Sequence, residues 1–358
     1  LGIQDQAKEI TTDISEFLSF DYEDIQRLPF VYQRLFSSEP LKDDSFYLHR
    51  KKESEQLAAT YQKWREGQFM PCLIYGEKGS GVSTLMEMFL PQNNEETCRL
   101  IKITPGKRIY KAGDLLDLLG RSIRNKAFKD LDDLYTYIEQ QAPFCIFLDK
   151  LHFMYMRQPK GFEVLKLLFS IISTSSEKVF WICSCGQYSA DYLNKTIGLF
   201  GYFPVLIQMQ ALELEKIIKI ILLRHRASGY DLSYMPSNRD LADKKFTKME
   251  ESKQQEVLET KYFSMLNQIT ESNISFALLL WLASIHSIDN NRVYLESLDK
   301  LDFSFLYNQP REAVFALHAL LLHESLNPEE LAAVLNCPQR QAALLLMRLN
   351  DRGIVLDE

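Results

Sequence analysis

The sequence predicts an α/β fold: a doubly wound parallel sheet, then a helical segment, then a terminal domain of winged-helix outline. Three observations carry this. Between Cys72 and Gln210, short continuous apolar runs alternate with helical stretches, as strands buried on both faces require. A glycine-rich turn joins the first of those strands directly to a helix. After Gln210 the strand-like runs stop and helical periodicity takes over. The 358 residues suit two or three cores, and 46% hydrophobic with 25% charged residues is an ordinary globular composition.

In chain order, residues 1–45 read as an N-terminal helical segment, with "DYEDIQRLPFVYQRLF" placing aromatic and aliphatic residues at helical spacing. "DDSFYLHRKKESEQLAATYQKWREGQ" is a capped amphipathic helix ending near Gly67. The α/β core spans 46–210. Its strands are "PCLIYG", "RLIKITP", "PFCIFLD", "KVFWICSC" and "PVLIQMQ". Its helices include "AGDLLDLLGRSI", "DLDDLYTYIEQQ", "GFEVLKLLFSIISTSS" and "ADYLNKTIGLF". Residues 211–305 read as helices: "LELEKIIKIILLRHRASGY" up to Gly229, a charged insert of flexible or helical character, and the helix pair "KYFSMLNQITESNISFALLLWLASIHSI". Residues 306–358 give three helices and a strand stub, "IVLDE", after Gly353. The middle one starts well, with Asn327 as N-cap, Pro328 first and Glu330 third.

The turn "LIYGEKGSGVSTLMEMF" carries the chemistry. A loop of backbone N–H groups opening into a helix N-terminus is a phosphate cradle. The pattern G-x-x-x-x-G-K-[ST] fits at Gly76, Gly81 and Ser83 but calls for lysine where the chain has Val82. The candidate nucleotide-binding residues are Gly76, Lys78, Gly79, Ser80, Gly81, Val82, Ser83 and Thr84. Lys78 lies inside the loop and offers a cation from the other side, though not where variant loops with an early lysine place theirs. Asp149, closing the strand "CIFLD", is placed with Ser83 to hold Mg²⁺ if nucleotide binds. The next residue is Lys150, and an ammonium takes no proton from water at neutral pH.

The order of phosphate loop, "CIFLDK", "VFWICSC" and trailing helices resembles the AAA+ and related STAND ATPases. It is nearest the initiator-like branch, the origin-recognition and transposition ATPases, over roughly residues 41–358. The resemblance implies a helical lid over 211–305 and ATP or ADP with Mg²⁺ as the ligand. It also implies a sensor residue at the end of "VFWICSC", where Ser184 and Gln187 are the hydrogen-bonding groups. Arg is expected near the start of the lid helix "ESNISFALLL", where Asn273 is followed by Ser275. The segment after "VFWICSC" holds no Arg for a finger, only Lys195. Arg224 to Arg226 ("RHR") face either phosphate or simply a helix end. With lysine, Glu base, finger and lid arginine all missing, no catalytic residue is assigned. The expectation is a pseudo-ATPase that binds nucleotide weakly or not at all.

Such a module is expected to act as a regulatory or scaffolding part of a larger assembly, with a protein partner or self-association. Nucleic acid is not expected as a partner. The net charge is −7, and Arg311 to Glu358 holds four Arg and no Lys against seven Asp or Glu, a balance that repels DNA. The alternative is an active initiator- or transposition-type ATPase acting on DNA, favoured by a basic face at Lys244, Lys245 and Lys248 or by rescue through Lys78. A small-molecule kinase fits the long lid poorly. The six cysteines sit largely in apolar runs, and "CSC" is not C-x-x-C, so reduced thiols and a cytoplasmic setting are expected. The chain begins with Leu and is expected to be a piece of something longer, with any membrane attachment in a segment outside it.

Overall fold

The computed structural model describes residues 11–13, 27–36, 50–93, 98–302 and 304–355. Most of the expected N-terminal helical segment lies outside them; within it α1 (Phe30–Leu35) is helical, whereas Thr11–Asp13 form a strand, which corrects the helical expectation there. The core begins with α2 (Lys51–Arg65) and five parallel strands. These are β2 (Cys72–Gly76), β3 (Arg99–Ile103), β4 (Phe144–Leu148), β5 (Val179–Gly186) and β6 (Val205–Gln208), ordered β3-β4-β5-β2-β6. β1 (Thr11–Asp13) pairs separately with β10 (Lys300–Asp302).

Every residue of β2 and β4 is buried, which is why both read as unbroken apolar runs. Side chains still alternate between two cores, as strand geometry demands. Cys72, Ile74, Phe147, Phe180 and Ile182 meet Leu57, Trp64, Leu85 and Met86 of α2 and α3 (Val82–Asn93). Leu73, Ile146, Leu148, Trp181 and Cys183 face the larger cluster with α4 (Ala112–Arg124), α5 (Leu131–Glu139), α6 (Glu163–Ser175) and α7 (Gln187–Ile197). The sheet is thus covered on both faces, as predicted.

The lid has its own core around the fully buried Trp281. It is built from α8 (Leu214–Ser228), α10 (Glu251–Thr270) and α11 (Ile274–Ala283), with α1 packed on α8. The charged insert is a short helix, α9 (Asn238–Ala242), a turn bearing exposed Lys244, Lys245 and Lys248, and the start of α10. The all-helical expectation needs correction, at β10 and in a second place. A small sheet, β7-β9-β8, forms from β7 (Asp231–Tyr234), β8 (Ile285–Asp289) and β9 (Arg292–Leu295). β8 and β9 are a hairpin closed by Asn290 and Asn291, both at positive φ (48° and 63°). Asparagine tolerates this, and the favoured two-residue turn requires it.

The terminal domain consists of α12 (Arg311–His323), α13 (Pro328–Leu335) and α14 (Gln339–Asp351). Asn327 and Glu330 form the expected capping box before α13. The strand stub is a further correction: Ile354 and Val355 are not strand, and the rest of "IVLDE" lies outside the described residues. No helix among the described residues is long and apolar enough to cross a membrane.

Candidate nucleotide-binding site

β2 runs into Gly76 and the chain turns through Gly81 before α3 begins. Gly79 and Gly81 have φ of 83° and 93°, a region that side chains avoid. Gly76 is needed for space, since a Cβ there would lie 2.7 Å from both Met209 Cβ and Ser80 Oγ. Val82 opens α3 and packs on the α2–α3 core, so an apolar contact fills the lysine position. Ser83 and Thr84 follow in the first turn, half-buried.

Three side chains from outside grip the loop backbone. Arg50, just ahead of α2, donates to Ser80 O and to Gln210 O, both at 2.7 Å. Asn273, the N-cap of α11, donates Nδ2 to Lys78 O at 2.8 Å. Ser275 Oγ donates to Gly79 O at 3.1 Å, and a Cβ on Gly79 would lie only 2.6 Å from the Ser275 Cβ. The lid helix therefore rests directly on the loop where the resemblance implies an arginine reaching for phosphate.

Asp149 follows β4 and is held by its N–H on Ile103 O at 2.8 Å. Its Oδ1 accepts from Lys150 N at 3.0 Å and from Ser184 Oγ in a short hydrogen bond. The expected sensor hydroxyl and the expected metal carboxylate are thus brought together. The other carboxylate oxygen accepts no hydrogen bond among the described residues. Asp149 and the Ser83 hydroxyl are oxygen donors of the kind Mg²⁺ takes, and would hold it only together with a bound phosphate. Lys150 sits at φ 56° with its ammonium 5.2 Å from the Phe153 ring centre, so no base follows Asp149. Gln187 is tied to Asp191 at 2.9 Å in the first turn of α7.

The two readings of "RHR" resolve for the first arginine. Arg224 is buried in the lid and donates to Leu35 O at 2.9 Å, capping α1 rather than facing phosphate. Burial lowers its pKa to about 10. Cys98 and Cys145, not singled out by the sequence, lie with sulfurs 3.0 Å apart.

The sequence reading missed a polar junction at the ends of the strands. Arg108 is buried and donates to His152 O at 3.1 Å, to His323 O at 2.6 Å and to Ser325 O in a short bond. Tyr155 OH and Ser189 Oγ both donate to Leu322 O at 2.6 Å. The last carbonyls of α12 are therefore capped by the α/β core. Glu324 follows at φ 64°, with Oε2 3.3 Å from His152 Nε2.

No protein-family model and no curated protein matches the chain. Solved structures do. The Aeropyrum pernix ORC2 protein, in ADPNP–ADP complexes, is 15% identical with a TM-score of 0.50, covering 91% of both chains. The chain shares its overall fold with that protein. Cdc6p from Pyrobaculum aerophilum is 16% identical at a TM-score of 0.48, covering 90% of each chain. The A. pernix ORC1 protein in complex with DNA is 14% identical at 0.48, covering 86% of this chain and 84% of that one.

The expectation that nucleic acid is no partner is not upheld: one of the matched structures is a complex with DNA, a property of that ORC1 protein. The charge count behind it also misjudged the surface. Of the acidic residues counted, Glu324 turns to His152, and Glu330 binds Tyr110 at 2.6 Å and lies 3.6 Å from Arg108. The exposed charges of the described domain are Arg311, Arg340, Arg348 and Arg352 against Glu312, Glu329 and Asp351.

Proposed function

We propose that this chain is an initiator-type AAA+ module that acts on DNA through its terminal three-helix domain. Its nucleotide site serves for structure or weak binding rather than as a motor. The observation that carries the DNA reading is the inward turn of Glu324 and Glu330, which leaves exposed arginines along α14 and at the start of α12. Arg340 and Arg348 flank an open cleft of about 460 Å³ shared with Pro310, Glu312 and Leu344. The third helix of a winged-helix domain is the one that enters the major groove. Exposed Lys244, Lys245 and Lys248 add a second basic patch.

The reading of the loop rests on Val82, Lys150 and the contact of Asn273 and Ser275 with the loop backbone. Each missing cation or base normally supplies orders of magnitude in phosphoryl transfer. The lid helix hydrogen-bonds the loop backbone directly through Asn273 and Ser275.

The test is fluorescence anisotropy with a labelled duplex over a salt series, beside a phosphate-release assay. Wild type should bind with a salt-dependent slope. Arg340→Ala with Arg348→Ala should weaken binding and reduce that slope by about two. Phosphate release should stay at background with or without DNA. A duplex affinity unchanged by the double variant would refute the DNA surface, and DNA-stimulated turnover would refute the loop reading.

A second reading, a regulatory part of a larger assembly, is favoured by the exposed apolar residues Phe315, Leu344 and Met347 on the same helices. Absence of any DNA binding, with the domain intact, would favour it.

A further inference from the structure

Glu324 reaches out of the terminal domain and ends at the tip of β5. A Cβ on Gly186 would lie 2.2 Å from its Oε1, so the carboxylate occupies the space that Gly186 leaves. In the sheet register Gly186 pairs with Gly76, the first residue of the phosphate loop. The carboxylate therefore sits one strand from the loop, at the C-terminal edge where parallel α/β sheets take their ligands. His152 supports it from below: Nδ1 accepts from Gly186 N at 3.4 Å, which leaves the ring proton on Nε2, 3.3 Å from Glu324 Oε2. Burial opposes the charge on Glu324. The nearby His152 ring, with the charges of Lys78 and Lys150, nonetheless keeps its carboxyl below the usual glutamate range.

The backbone marks the same residue. Glu324 has φ 64° and ψ −36°, outside the left-handed helical basin as well as the ordinary regions. Such a conformation persists only where surrounding contacts enforce it. Here the enforcing contacts are the Arg108, Tyr155 and Ser189 hydrogen bonds to Leu322, His323 and Ser325.

We propose that Glu324 is an internal anion that competes with the terminal phosphate of a nucleoside triphosphate for the cations around the loop, so that nucleotide binding and docking of the terminal domain oppose each other. The proposal rests on the loop being a nucleotide site, as read above. It gives a cause for weak binding beyond the missing lysine: a carboxylate already stands at the tip of β5, one strand from the loop. The antagonism is reciprocal, since a ligand that disfavours the docked state is itself disfavoured by docking.

The experiment titrates a fluorescent ATP analogue with Mg²⁺ into wild type, Glu324→Gln, Gly186→Ala, Val82→Lys and the Val82→Lys/Glu324→Gln pair. Glu324→Gln removes the charge. Gly186→Ala keeps it but displaces the carboxylate, at a backbone conformation (φ −64°, ψ 145°) open to alanine. Both should tighten binding about tenfold, on either background for Glu324→Gln. Saturating nucleotide should speed hydrogen exchange in α12 of Val82→Lys. If Val82→Lys binds and Glu324→Gln adds nothing to it, the competition is wrong while the nucleotide site stands. If none of the five binds, the nucleotide site itself is refuted, and the competition falls with it.

Discussion

Two polar regions meet the same edge of the sheet, and they are built to opposite standards. At the phosphate loop the grip consists of single hydrogen bonds from Asn273, Ser275 and Arg50 to backbone carbonyls, on a half-exposed turn. At the α12–α13 turn, a buried arginine, a buried tyrosine and a buried serine converge on the carbonyls of Leu322, His323 and Ser325. Buried carbonyls are costly when unpaired, so a dense set of paired carbonyls resists dissection while isolated surface bonds do not, although among the described residues Arg108 Nε and both ring nitrogens of the buried His323 make no hydrogen bond. The contrast teaches that the chain keeps a phosphate-loop geometry while placing its strongest polar chemistry where the terminal domain docks.

The contrast breaks most sharply at Arg108. Arg108→Ala should destabilise the protein by about 3–5 kcal/mol, because it strands buried carbonyls and the Glu330 charge together. Chemical denaturation should show this loss, and a second transition would mark the terminal domain coming free.

Acid should attack the same junction. Burial first, then the charges of Arg108, Arg157 and His152, depress the pKa of His323 to about 3, below its ordinary 6.5. The unfolded state then binds the extra proton, so this stability is complete above pH 6.5 and is lost as pH falls toward about 3. From pH 6.5 to 5 the loss from this group is about 2 kcal/mol. His323→Phe should flatten that part of the urea-midpoint profile, and an unchanged slope would mean His323 protonates without strain.

Two smaller effects sharpen the comparison. Tyr155→Phe removes one buried hydrogen bond to Leu322 O and should cost about 1 kcal/mol in the same denaturation. Ser275→Ala removes one half-exposed bond to the loop and should cost less, about 0.5 kcal/mol. A reversed order of these two would overturn the ranking of the regions.

The sheet and loop were legible because their signals are local. β2 and β4 are unbroken apolar runs, Gly79 and Gly81 sit where the turn needs positive φ, and Val82 and Lys150 are read directly at their positions. The small lid sheet was also written locally, in the Asp-Asn-Asn before Arg292. The preceding apolar helix drew Ile285 and its neighbours into a helical reading instead. The terminal domain's charge was misread because counting treats every carboxylate as outward-facing. Nothing near Glu330 says that its partners are Arg108 and Tyr110. The junction was invisible for the same reason, since Arg108 meets His323 across 215 residues of sequence. Arg224 shows the converse: a basic group at a helix end, with two local readings, settled by a carbonyl 189 residues away.

Arg50 has a mechanical consequence. Its guanidinium spans Ser80 O in the loop and Gln210 O where the chain leaves the last core strand for the lid. One planar fork thus straddles the pivot about which the lid would swing. A rotation at Gln210 either drags the loop with it or snaps one tine of the fork. The loop and the lid are geared together by a residue that precedes both in the chain, and the pivot keeps that gearing whether or not a phosphate is ever bound.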